Sequence, residues 1–148
     1  MSGSLFALLE RLHGHLAVLA LALLVHPLVS LRRRPGLSVW TRRTAELSAA
    51  LLLAVYALGW ALYPSYRREL KPDLVQGALP LALRFETKEH LAILALALVL
   101  GGALTLRVAG LRPDARTAAW WMLAMGLLCG LGTGLLGVWV ASGAHPAW

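Results

Sequence analysis

Charge is scarce in this chain. Only 14% of its 148 residues are Asp, Glu, Lys or Arg, where a water-soluble domain carries about 25%. That deficit excludes a soluble globular domain more firmly than the 59% hydrophobic content does. Acids are the rarer sign, seven against fourteen bases, for a net charge of +7. None of them falls in the middle of an apolar run, which argues against a transporter driven through a buried carboxylate. Cysteine is nearly missing. Cys129 stands alone, so an intramolecular disulfide and a multi-cysteine metal site are both excluded. A Walker loop, a dinucleotide fingerprint, paired CxxC motifs and a Ser–His–acid pattern are all missing. There is no internal repeat, low-complexity tract or nucleic-acid signature, so the basic surplus is read against membrane lipids rather than nucleic acid.

What is present is apolar length. Four runs, Leu16 to Leu31, Leu47 to Leu62, Leu91 to Leu106 and Ala118 to Ala141, hold almost no charge. A helix rises 1.5 Å per residue, so about 20 apolar residues cross the hydrocarbon of a bilayer. Lipid offers no hydrogen bonds to the backbone, and four segments cannot close a barrel, so the spans are helices. The expected fold is all-α: one four-transmembrane-helix bundle filling residues 1–148, with spans at about 8–31, 44–63, 87–108 and 116–141. Met1 to Ser4 is uncharged, unlike the start of a signal peptide, and predicts a retained first span. Pro35-Gly36 breaks the chain, Ser38 or Thr41 caps the second helix, Tyr63-Pro64 ends it, Thr87 begins the third, and Pro113-Asp114 introduces the fourth. Between Pro64 and Glu86, the stretch Asp73 to Phe85 is apolar but broken by Gly77 and Pro80. It reads as an interfacial outer loop segment, partly helical.

Bases decide which way the bundle faces. The first and third connections carry Arg32, Arg33, Arg34, Arg42, Arg43, Arg107, Arg112 and Arg116, eight in all. The other side carries Arg11, Arg67, Arg68, Lys71, Arg84 and Lys88, six. The tight cluster after the first span is the local retention signal of the positive-inside rule. Both termini and the long middle loop are therefore expected outside a bacterial inner membrane. Trp40, Trp120 and Trp121 fall near one interface and Trp60, Tyr63, Tyr66 and Trp139 near the other, as aromatic belts do.

That topology sorts the histidines. His13, His15, His90 and His145 come from three regions of the chain to one outer level, beside Glu10, Glu86 and Glu89, while His26 lies at the opposite level. Glu10 and His13 are three apart and Glu86 and His90 four apart, so each pair shares a helix face. Two chemistries suit them. One is a b-type haem between helices one and three, with His13 or His15 as one axial ligand and His90 as the other. The other is an iron, copper or zinc site drawn from Glu10, His13, Glu86, Glu89, His90 and His145. Histidines at a wet interface with no cofactor are the structural alternative. In the fourth run, Gly126, Gly130 and Gly134 recur every four residues, the spacing of a helix-packing groove within the bundle or against another chain.

Tyr63-Pro64-Ser65-Tyr66-Arg67, followed by Phe85-Glu86-Thr87-Lys88-Glu89-His90-Leu91-Ala92, resembles a motif pair of small four-span bacterial membrane proteins of uncharacterised role. Together with the architecture, it is similar to the small four-helix proteins of respiratory and haem–copper oxidase assembly, whose outer histidines bind or sense haem or metal. The resemblance implies that His90 opens a helix as a ligand. The second-helix histidine often seen in such bundles has no counterpart here. The expected function is a small membrane subunit for redox chemistry or metal handling. The rival is a non-catalytic accessory subunit of a larger respiratory complex, docking on other membrane subunits or on its own copies.

Overall fold

The computed structural model describes residues 3–33, 36–69, 79–109 and 112–144. They form four helices: α1 Gly3–Arg33, α2 Val39–Glu69, α3 Leu79–Ala109 and α4 Pro113–Ala144. Each contains a stretch long and apolar enough to cross a membrane: Ser4–Arg33, Val39–Ser65, Ala82–Val108 and Pro113–Val140. At 31 or 32 residues, each helix is about 47 Å long, more than the roughly 30 Å of hydrocarbon. The helices run antiparallel in sequence order and pack in a ring, α1 on α2, α2 on α3, α3 on α4 and α4 on α1. Helices one and three therefore sit across the bundle diagonal.

Two boundaries differ from expectation, both at prolines. Pro64 does not end the second helix, which continues to Glu69. The third helix begins at Leu79, not Thr87, so Leu79 to Phe85 is its first two turns and not a separate surface segment. Proline is tolerated in a first turn because the N–H it lacks has no partner there anyway, and Pro80 occupies such a position. Pro64 forfeits the one hydrogen bond its N–H would have given to the Trp60 carbonyl, and α2 continues past it. The rest of the expected loop segment, residues 73–78, lies outside the described residues. A proline is also accommodated inside α1, at Pro27.

The interior is small and the surface is large, the reverse of a water-soluble protein. Ala20, Ala45, Ala49, Ala95, Ala103 and Ala119 are buried around Leu24, Leu106 and Leu123. Leu19, Leu53, Ile93, Leu128 and Leu135 face outward. Lipid tails are as apolar as leucine, so nothing drives large side chains inward, and small ones let helices approach closely. Trp40 and Trp121 are exposed at one end of the bundle and Trp60 and Trp139 at the other, where interfacial belts belong.

At the end carrying the α1–α2 connection, hydroxyls tie those helices together. Ser38 Oγ accepts the Thr41 N–H at 3.0 Å, which makes Ser38 the N-cap of α2. Thr41 Oγ1 also lies 2.9 Å from Ser38 Oγ and 2.6 Å from Ser30 Oγ of α1. Thr41 is 1% exposed and Ser30 7%. Thr41→Val keeps the shape but strands the buried Ser30 hydroxyl and leaves Ser38 only its backbone partner, and a loss of about 1–3 kcal/mol is expected on unfolding in mixed micelles. Adding Ser30→Ala to it should recover part of that loss. An unchanged midpoint in the single variant would mean that both serines re-bond to their own helix carbonyls.

Candidate functional site

The end of the bundle where α1 starts and α4 stops gathers ionisable side chains from two helices and backbone from the other two. His13 is half-buried on α1, and its Nδ1 lies 3.0 Å from the Val55 carbonyl of α2. The ring rests on Gly59, where a Cβ would come within 3.2 Å of His13 Cε1. Missing side chain and available carbonyl lie one turn apart on α2, so together they set the ring's place. Lys88 of α3 extends its stem along Gly137 of α4 (3.6 Å to a Cβ built there) and holds its ammonium 4.6 Å from the Phe85 ring. The Lys88 ammonium lies within electrostatic reach of the Glu10 and Glu89 carboxylates, and the His13 ring within reach of Lys88 and Glu10. One turn further out, the Arg84 guanidinium stacks 3.7 Å from the Trp139 ring, joining α3 to α4.

His15 and His90 are exposed. Each turns its Nδ1 to a carbonyl of its own helix, His15 to Arg11 at 2.7 Å and His90 to Glu86 at 2.7 Å. A carbonyl only accepts, so in all three histidines Nδ1 carries the proton and a neutral ring keeps its lone pair on Nε2. This is the arrangement found behind metal-bound histidines, where the second nitrogen donates to a carbonyl or carboxylate.

The expected site residues separate accordingly. Glu10, His13 and Glu89 come within electrostatic reach of Lys88, which was not among them; Glu86 supplies its backbone to His90; His15 faces outward; His145 lies outside the described residues. Among the described residues, no three of the His, Cys, Asp and Glu side chains are grouped to hold a metal ion. His90 does not open its helix, since α3 starts eleven residues earlier. Lys88 was the residue hardest to find from sequence: with a helix expected to start at Thr87, it reads as a solvated first-turn lysine. Its only signal was a base three residues after Phe85, on the same helix face.

The glycines of α4 do not form one continuous groove. A Cβ at Gly126 would come 2.6 Å from Val99 Cγ2 and 3.3 Å from the Ala95 carbonyl oxygen, so Gly126 is where α3 presses on α4. At Gly130 it would meet Leu21 of α1 at 2.5 Å, and at Gly134 nothing within 4 Å. Four residues turn a helix by about 400°, so each successive glycine is rotated by about 40°. That drift carries the row from α3, past α1, to the outside.

At the opposite end, α4 is fastened to the last turn of α1. Trp120 Nε1 donates to the Leu28 carbonyl at 3.1 Å, and Arg116 Nη2 to the Leu31 carbonyl at 3.3 Å. The residue four beyond Leu31 is Pro35, which has no N–H to offer that carbonyl, so the guanidinium takes its place. His26 pairs with Thr44 Oγ1 at 2.9 Å and serves the α1–α2 contact. Comparison with family models, with curated proteins and with solved structures finds no match for this chain.

Proposed function

We propose that this chain is a small redox or metal-handling membrane subunit that takes a b-type haem at the end of the bundle where α1 starts and α4 stops. The observation that carries the reading is the set of three imidazoles, His13, His15 and His90, each with Nδ1 committed to a backbone carbonyl and Nε2 left as a base. Of the two α1 histidines, His13 would hold the group better: it is half-buried and its Nδ1 is steadied by the Val55 carbonyl of α2. His90 is the second. Haem needs only axial ligands, whereas an iron, copper or zinc ion held by side chains alone wants three or more. The presence of Lys88 among Glu10 and Glu89 favours the same choice, since an ammonium opposes a bare cation and suits haem carboxylates. Haem, when bound, would supply one-electron transfer. The chain's own part is to present neutral nitrogen and to steady the rings on backbone carbonyls.

The setting is a bacterial inner membrane, with the arginine-rich connections in the cytoplasm. The test is the absorbance of the full chain purified from membranes supplied with haem. A Soret band is expected, lost in His90→Ala and in His13→Ala and kept in His26→Ala. Gly59→Leu, which pushes on the His13 ring without replacing it, should weaken or shift it. A colourless wild-type protein that takes up no haem would sink the reading and leave the accessory subunit in its place.

A further inference from the structure

Two adjoining clefts open at the opposite end of the bundle, between the last turn of α1 and the first turns of α4. One, of about 350 Å³, is lined by Leu31, Arg32, Arg116, Thr117, Trp120 and Trp121, with Pro113 at its edge. The other, of about 400 Å³, is lined by Leu28, Val29, Arg32, Arg33 and Trp120. They share Arg32 and Trp120, and the Arg32 guanidinium lies 5.2 Å from the Trp120 ring centroid. Trp120 is itself anchored by its bond to the Leu28 carbonyl, so the cation is steadied on a fixed platform.

We infer that this double cleft is a binding site for the phosphodiester of an anionic phospholipid. Four features converge. Arg32 lines both clefts, joined by Arg33 in one and by Arg116, which also holds the Leu31 carbonyl, in the other, and guanidinium forks match phosphate oxygens. Among the described residues, no carboxylate pairs with Arg32 or Arg33; Asp114, on the neighbouring turn, is engaged by Arg112 at 2.8 Å. The first turn of α4, at Pro113, Arg116 and Thr117, brings the positive end of a helix to the same cleft. The remaining walls are Leu28, Val29, Leu31 and two tryptophans, which suit acyl chains and a glycerol backbone. Those walls favour a lipid over a soluble phosphate. Generic attraction of a basic surface would need neither the platform nor the apolar floor. The site is independent of the imidazoles, which lie at the other end.

The experiment is native mass spectrometry of the full chain released from mixed micelles of phosphatidylglycerol and phosphatidylcholine. Phosphatidylglycerol should be retained in preference. Arg32→Gln with Arg33→Gln should cut the retained fraction at least about tenfold, because the charge-assisted guanidinium–phosphate hydrogen bonds are lost. Both side chains are exposed, so folding is expected to survive. Arg42→Gln with Arg43→Gln removes the same charge from the same end, outside the clefts, and should change retention less than about twofold. Equal losses in the two double variants would overturn the inference in favour of diffuse attraction. So would equal retention of phosphatidylcholine, or displacement of the lipid by glycerol phosphate at matched concentration.

Discussion

Gly126→Leu is expected to break the bundle, and even Gly126→Ala to weaken it by about 1–3 kcal/mol. The position has no slack. A Cβ there falls 2.6 Å from Val99 Cγ2 and 3.3 Å from both the Ala95 carbonyl oxygen and the Val99 nitrogen. Val99 is β-branched and fully buried, so its χ1 is held in one rotamer on a helix and cannot swing away. The backbone atoms cannot yield without moving α3 bodily. A leucine adds three more carbons to the same contact, for a loss above about 3 kcal/mol. The other glycines of the row calibrate the claim. Gly130→Ala meets only the flexible tip of Leu21, and Gly134→Leu meets open space. Unfolding in mixed micelles should therefore rank the sites Gly126 first, Gly130 second and Gly134 last. If Gly134→Leu were as damaging as Gly126→Leu, the α3–α4 contact would not be the one that holds the bundle.

That ranking marks the boundary of what could be read in advance. The four spans were legible because bilayer thickness converts directly into apolar length, and the runs from Leu16, Leu47, Leu91 and Ala118 stand out against charged flanks. The glycine spacing was legible as packing. Which neighbour each glycine meets was not, because it depends on a drift of about 40° per step and on where α1 and α3 stand. The helix ends misled for a related reason. Pro64 and Pro80 read as stops, yet Pro80 stands in a first turn where its missing N–H has no partner, and α2 runs on past Pro64 with one hydrogen bond fewer. The site suffers from the same error. With α3 starting at Leu79, His90 lies three turns in and Lys88 becomes a span residue, where burying a charge demands partners. That His13 takes the Val55 carbonyl could not be read at all. It needs the register of α1 against α2, which rests on contacts such as Ser30 with Thr41 at the far end.

Leu123→Ala should cost about 2–5 kcal/mol, and a second substitution should return part of it. Leu123 is fully buried on α4 and fills the space left by the missing side chain of Gly102 on α3. In a bilayer, a leucine moved from core to lipid changes little in hydration, so the penalty is mostly the void and its lost dispersion contacts. Removing three carbons leaves roughly 80 Å³, worth about 2 kcal/mol at the usual price per volume. Gly102→Ala alone overpacks the same spot, since its Cβ would stand 2.8 Å from Leu123 Cγ, and should cost about 1–3 kcal/mol. In the double variant the new methyl enters the void left by the shortened side chain. The Ala119 carbonyl oxygen, 3.3 Å from that Cβ, limits the rescue without abolishing it. The two losses should then sum to at least about 1 kcal/mol more than the double variant shows, as expected for residues in direct contact. Additive losses in a double-mutant cycle would mean that the shortened side chain does not vacate this space, and that the helices have instead re-spaced around it.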